Sequence, residues 1–131
     1  MKTLIVEDDF TSRVLLGEIL KRYGSPHVAV NGREAVDAVE AALRAGEPYD
    51  LVCLDIMLPE MDGQEALKEI RQLEDDARVA PRDRAKVIMT TAHADRANVI
   101  EAMRAQCDAF LVKPIAKTKL IEELRRLELI V

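Results

Sequence analysis

The sequence predicts an α/β fold in which one parallel sheet is covered by helices on both faces. Short apolar runs alternate five times with segments of helical periodicity. The third and fourth of these runs are apolar almost throughout, as strands buried on both faces require. Because 131 residues suit a single hydrophobic core, we predict one domain over residues 1–131.

The five predicted strands are runs of four to six mostly apolar or β-branched residues, a length that favours strands over helices. They cover residues 3–6, 27–30, 51–56, 86–91 and 109–112. A helical segment follows each strand, so consecutive strands are predicted to run parallel.

The five predicted helices are recognised by apolar residues that recur every three or four positions, or by their place between strands. Their markers are Leu16, Ile19, Leu20 and Tyr23; Val36, Val39 and Leu43; Ala66, Leu67 and Ile70; the stretch 94–106; and Leu120, Ile121, Leu124 and Leu127. Asn31 with Glu34, and Asp62 with Glu65, resemble capping boxes at the start of the second and third helices. The stretch 74–85 is long and charged for a helix-to-strand connection. We predict an extension of helix three and a solvated loop there, with a binding insert as the alternative.

Charge, hydropathy and cysteine usage exclude several classes of function. A net charge of −5 argues against a general nucleic-acid or anionic-membrane surface. No apolar run approaches the ~20 residues of a membrane span, and the Met-Lys-Thr start lacks the features of a signal peptide. Cys53 and Cys107 form neither a disulfide framework nor a metal-binding spacing. Free thiols in a reducing cytoplasm are therefore predicted.

Polar side chains stand at the carboxyl ends of four of the five predicted strands, either in the strand or directly after it. They are Glu7, Asp8 and Asp9 after strand one, Asp55 in strand three, Thr90 and Thr91 in strand four, and Lys113 after strand five. In the flavodoxin-like strand order 2-1-3-4-5, strands one and three flank the switch point, where ligands bind beyond the carboxyl ends of the strands. Glu7, Asp8 and Asp55 are therefore predicted to meet in one crevice.

Such a cluster of carboxylates predicts a divalent cation, because each negative charge raises the cost of ionising the others. Mg²⁺ suits the site, since it accepts a few carboxylates and keeps several waters. A lysine and a hydroxyl at the neighbouring strand ends could hold the oxygens of a phosphoryl group. Asp55 has the chemistry of a nucleophile that forms an acyl phosphate.

Four motifs at the strand ends resemble the receiver domain of two-component response regulators. They are IVEDD (5–9), DIMLPEMDG (55–63), MTTAH (89–93) and FLVKP (110–114), and the resemblance covers essentially the whole chain. It implies Asp55 as the phosphoacceptor, Asp8 as a direct Mg²⁺ ligand, Glu7 as a ligand through water and Met57 as the donor of a backbone carbonyl. It further implies Thr91 as the switch hydroxyl, Lys113 as a phosphoryl contact across a cis bond to Pro114, and Phe110 as the switch aromatic.

The resemblance also implies partners. A histidine kinase or a phosphotransfer protein would supply the phosphoryl group. The face formed by helix four, strand five and helix five would signal by binding another protein. Since residues 1–131 leave no room for an output domain, we expect a stand-alone, chemotaxis-regulator-like receiver that contacts neither nucleic acid nor a membrane.

The sequence also suggests roles for several residues outside the acidic cluster. Asp9 is predicted to cap helix one rather than to bind metal. His93 is predicted to be a surface modulator near the crevice, and His27 to be structural without an identified partner. Gln106 and Cys107 stand where the family usually has Gly-Ala, so the glycine that favours a left-handed cap at the end of helix four is missing.

Two other functions compete with a phosphoreceiver. A Mg²⁺-dependent phosphohydrolase with an aspartyl nucleophile typically carries a second acid two residues after the nucleophile, and here that position is Met57. A docking module that no longer uses phosphate would have lost an acidic, threonine or lysine position of the site, and this sequence retains them all.

Overall fold

The sheet and helices follow the predicted alternation in the computed structural model, which describes residues 1–92 and 96–131. The strands are β1 (Thr3–Val6), β2 (His27–Ala29), β3 (Leu51–Asp55), β4 (Lys86–Thr91) and β5 (Ala109–Val112). The helices are α1 (Phe10–Leu20), α2 (Gly32–Arg44), α3 (Gly63–Asp76), α4 (Arg96–Arg104) and α5 (Lys117–Arg126), with short 3₁₀ helices at Lys21–Tyr23 and Pro81–Asp83. The strands pair in parallel in the order β2-β1-β3-β4-β5, which confirms the predicted fold class.

Alternation along the strands divides the core between the two faces of the sheet. Leu4 and Val6 of β1 join the core that packs beneath α2 and α3. Ile5, between them, joins the core beneath α1 and α5. Both cores are made of buried side chains, which explains why β3 and β4 are apolar almost throughout.

Strand register places the functional ends side by side. Val6 pairs with Leu54, so the next residues, Glu7 and Asp55, lie at the same edge of the sheet. Asp55 pairs with Thr90 on the other side. The register of a parallel sheet thus gathers the polar strand ends that are scattered along the sequence.

The predicted helix starts are confirmed at atomic detail. Asn31 Oδ1 accepts from the Glu34 amide at 2.8 Å, and Asp62 Oδ1 accepts from the Glu65 amide at 2.9 Å. Among the described residues no helix is long and apolar enough to cross a membrane.

The stretch 74–85 begins with the predicted extension of helix three, since α3 continues to Asp76, and most of the residues that follow are exposed. The sequence did not indicate that Glu74 and Ala85, at the two ends of the stretch, are buried. Glu74 Oε2 accepts from the Ala85 amide at 2.8 Å, and Glu74 Oε1 accepts from Arg71 at 2.7 Å. A buried carboxylate needs such partners, and they fix both ends of the connection.

Two further residues show features that the sequence did not indicate. His27 has a partner that the sequence did not indicate, because its Nδ1 lies 2.7 Å from the Tyr49 hydroxyl. Gln106 adopts the left-handed conformation at φ 68°, in the place of the missing glycine. The amides of Gln106 and Cys107 donate to the carbonyls of Met103 and Ala102, at 3.0 and 3.1 Å, so the helix still ends in a Schellman motif.

Candidate functional site

Three carboxylates meet at the edge where β1 and β3 end. Glu7, Asp8 and Asp55 each place an oxygen within 4.8 Å of the others. Glu7 and Asp55 are buried, whereas Asp8 is exposed. The structure therefore brings together the residues that the sequence predicted as one acidic crevice, with one side open to solvent.

Lys113 supplies a cation to this crevice from the end of β5. Its Nζ donates to Asp55 Oδ2 at 2.9 Å and also to Glu7 Oε1. The Lys113–Pro114 peptide bond is cis, in agreement with the expectation from the resemblance. One ammonium thus bridges the two buried carboxylates of a cluster that contains three acids.

Burial and hydrogen bonding shift the pKa values of Glu7 and Lys113. Desolvation, reinforced by the hydrogen bond to the Asp55 side chain, raises the pKa of Glu7 from 4.5 to about 7. Burial opposes the charge of Lys113, but its hydrogen bonds to Glu7 and Asp55 outweigh that effect and raise its pKa. In the absence of metal, Glu7 therefore favours its protonated form below about pH 7, chiefly because it is buried.

We expect this shift to appear as a pH dependence of stability in the absence of metal. Between pH 4.5 and about 7 the folded protein binds more protons than the unfolded chain, so the unfolding free energy falls as the pH rises. The fall should be at least about 1 kcal/mol for Glu7. Urea denaturation in chelator should show it in the parent and much less in Glu7→Gln, while exposed Glu122→Gln keeps the parent profile. Equal slopes in parent and Glu7→Gln would contradict the assigned shift.

The start of α3 packs unusually closely against Asp55. A Cβ atom on Gly63 would lie 2.1 Å from the Asp55 carbonyl oxygen, so only glycine fits there. The Gly63 amide donates to the Ile56 carbonyl at 2.8 Å. The Met57 amide lies 3.3 Å from Asp55 Oδ1, and the Met57 side chain is 65% exposed. The segment after Asp55 is thereby held against the site while the Met57 side chain faces solvent.

Arg13 is a site residue that the sequence analysis missed. Its Nη1 donates to the Glu7 carbonyl at 3.1 Å and lies 3.5 Å from the Asp8 carbonyl. In the sequence, Arg13 stands one helical turn after Asp9, a position from which its side chain can reach back to the end of β1. Asp9 itself caps α1 by accepting from the Ser12 amide at 2.9 Å. Those bonds from Ser12 lower the pKa of Asp9, and its role as a cap rather than a ligand is confirmed.

The remaining predicted residues lie on β4 and β5. Thr90 and Thr91 are both buried, and the Lys113 amide donates to the Thr91 carbonyl at 2.7 Å. Phe110 is half-buried and packs against the core beneath α2 and α3. His93 lies outside the described residues. The roles of Thr91 and Phe110 in switching stay predictions.

The donor set fits a small, hard dication. Carboxylate oxygens are the ligands that Mg²⁺ prefers, and it usually binds through one or two carboxylates together with waters. Two buried acids and one exposed acid provide these oxygens around a half-open crevice.

Comparison with known proteins gives a consistent result. The family model described as a response regulator receiver domain matches residues 3–125. The chemotaxis protein CheY of Thermotoga maritima is 35% identical over 127 residues, which cover 95% of each chain. The receiver domain of the sensor histidine kinase PA1611 from Pseudomonas aeruginosa, solved with a magnesium ion in its active-site cleft, is similar with a TM-score of 0.79 and 28% identity, over 96% of this chain and 95% of that one. CheY in the CheX–CheY–BeF3–Mg complex of Borrelia burgdorferi is similar with a TM-score of 0.81 and 26% identity, over 98% and 89% of the two chains.

Proposed function

The chain belongs to the family of response regulator receiver domains, and on that premise we propose that Asp55 accepts a phosphoryl group in a Mg²⁺-dependent reaction. The observation that carries the proposal is the crevice itself. Glu7, Asp8 and Asp55 converge there, and Lys113 contacts Asp55 at 2.9 Å. Three acids clustered beside one lysine are unfavourable for stability alone, so we attribute the cluster to function.

The reaction is the displacement of a leaving group at phosphorus by the Asp55 carboxylate. An Asp55 oxygen forms the new O–P bond while the P–N bond of a phosphohistidine breaks, and the imidazole keeps the electron pair. With acetyl phosphate, the P–O bond breaks and acetate leaves. Lys113 holds Asp55 in place before the reaction, and its ammonium can then pair with a phosphoryl oxygen.

Mg²⁺, when bound, neutralises the charge that would otherwise repel an incoming phosphate. Asp8, Asp55 and the Met57 carbonyl are the proposed direct ligands, with Glu7 acting through water. Arg13 holds the Glu7 and Asp8 carbonyls and so fixes the backbone that carries these acids. We assign to it a supporting role.

A histidine kinase or a phosphotransfer protein is the proposed donor, and a downstream protein is the proposed target. The chemotaxis relatives and the CheX complex of a similar CheY support output through protein binding. The proposed output surface consists of α4, β5 and α5. Val112 of β5 and Met103 of α4 are exposed apolar side chains on these elements.

We expect Thr91→Ala to separate phosphorylation from switching. The fully buried Thr91 hydroxyl should be the group that draws β4 toward the phosphoryl group. The variant should still bind beryllofluoride with Mg²⁺, while the amide shifts near Phe110 become much smaller than in the parent. Thr90→Ala, a buried neighbour on the same strand, is the matched control and should keep the parent response. A full response at Phe110 in Thr91→Ala would contradict the coupling.

A further inference from the structure

Helix α4 is held to α3 mainly by polar contacts. Among the described residues Ala102 is the single buried residue of α4, whereas α3 buries seven of its own. Gln64, Lys68 and Arg71 lie on one stripe of α3, since they are spaced by four and three positions. Each of them contacts α4 or the residues that end it. An element with so little buried apolar surface is expected to open locally at low cost.

The three contacts differ strongly in strength along α4. Arg71 donates through Nε and Nη2 to the Gln106 carbonyl at 3.1 and 2.8 Å, in a buried position. Lys68 and Glu101 form an ion pair of 3.2 Å with both side chains about half exposed, and such pairs contribute little. Gln64 Nε2 donates to the Asn98 carbonyl at 3.0 Å. The C-terminal end of α4 is therefore held more firmly than its first turn.

The docked position of α4 leaves one polar atom of Gln64 buried and unsatisfied, which costs free energy. Gln64 is 5% exposed, and its Oε1 atom is buried without a hydrogen-bond partner in the part of the chain that the structure describes. A buried acceptor left unsatisfied costs more than a typical hydrogen bond gains. The carbonyl of Asn98 lies within α4, where the helix provides its own bond. The contact between Gln64 and Asn98 thus opposes the docked position of α4 more than it supports it.

We propose that Gln64 is a positioning residue that keeps the docked position of α4 only marginally stable, with the Arg71–Gln106 contact as a fixed pivot. When the first turn of α4 lifts, the Gln64 amide becomes hydrated and its cost disappears. Phosphorylation would then need little free energy to move α4. This inference rests on the proposed function for its biological meaning, but its first test is made on the free protein without phosphate.

Opposite substitutions at Gln64 test the proposal by amide hydrogen exchange in the free protein. The amides of residues 100–102 bond to the first turn of α4 and report its lifting. Gln64→Met removes the unsatisfied acceptor while keeping the length of the side chain, and should slow their exchange by at least about threefold. Gln64→Glu places a charge in the same position and should accelerate it by a similar or larger factor. The amides of Gln106 and Cys107, at the pivot, should change little.

Gln72 provides the matched control, because it is an exposed glutamine on the same helix that bonds to Asp76 at 2.9 Å. Gln72→Met and Gln72→Glu should leave exchange in α4 unchanged. Urea denaturation of all four variants confirms that each is folded. Exchange that is unchanged or faster in Gln64→Met would overturn the proposal, and so would equal effects at the pivot and the first turn.

A second measurement separates this inference from the proposed function. Beryllofluoride with Mg²⁺ should shift the exchange of the 100–102 amides at a higher concentration in Gln64→Met than in the parent. If both proteins bind beryllofluoride and need the same concentration, the positioning role is wrong. If neither protein binds it while the exchange rates respond to the Gln64 substitutions as expected, the proposed function fails and the positioning of α4 stands.

Discussion

Asp55→Asn should abolish phosphorylation by acetyl phosphate, because the amide lacks the nucleophilic carboxylate oxygen. The structure favours this residue over its neighbours, since Asp55 is buried, contacts Lys113 at 2.9 Å and lies at the end of a central strand. Loss of the nucleophile should reduce labelling below detection rather than by a small factor. Intact mass measurement after incubation with acetyl phosphate and Mg²⁺ gives the result directly.

Asp8 and Asp9 provide a matched pair for this experiment. They are adjacent, exposed carboxylates, but Asp8 belongs to the acidic cluster and Asp9 caps α1. Asp8→Asn should strongly slow labelling at low Mg²⁺, whereas Asp9→Asn retains a good capping residue and should label like the parent. Undiminished labelling of Asp55→Asn would show that another residue accepts the phosphoryl group.

Arg71→Met should destabilise the protein by about 3–5 kcal/mol, the largest stability effect that we expect. The Arg71 guanidinium donates five hydrogen bonds, to Glu74, Asp108 and the carbonyls of Ala85 and Gln106. The side chains of Arg71 and Glu74 are 8% and 3% exposed. Removing the cation leaves the buried Glu74 carboxylate with the Ala85 amide but without a compensating charge, and the methionine cannot hydrogen-bond to the carbonyls.

Lys68→Met is the control for that effect. Lys68 lies on the same helix and also forms an ion pair with a later element, but both of its paired side chains are about half exposed. Its loss should cost at most about 1 kcal/mol. Urea denaturation measures both variants, and a loss in Arg71→Met as small as in Lys68→Met would mean that the buried network contributes little.

Features with local signals were the ones that the sequence predicted well. The caps at Asn31 and Asp62 depend on residues three positions apart, and the strands show as short apolar runs. The acidic crevice was also predictable, because strand order alone brings the ends of β1 and β3 together.

The buried network around Arg71 was not predictable in the same way. Arg71, Glu74 and Asp108 lie on α3 and before β5, and a charged run such as 74–85 is normally solvated. Only the packed structure shows that α3 brings Arg71 against the Gln106 carbonyl. The same holds for Arg13, whose contacts with the Glu7 and Asp8 carbonyls depend on how α1 sits on the sheet.

We propose that Glu7, Asp8 and Asp55 form one Mg²⁺ site whose negative charge exceeds what Lys113 compensates. Urea denaturation of the parent and Asp55→Asn, each with Mg²⁺ and with chelator at constant ionic strength, tests this site. Asp55→Asn removes one charge while Lys113 keeps its bond to Glu7, so in chelator it should be more stable than the parent by about 1 kcal/mol. Mg²⁺ should stabilise the parent by mass action and the variant much less, because a ligand is lost. If the parent gains nothing from Mg²⁺ and Asp55→Asn is no more stable in chelator, the three carboxylates do not share a metal site.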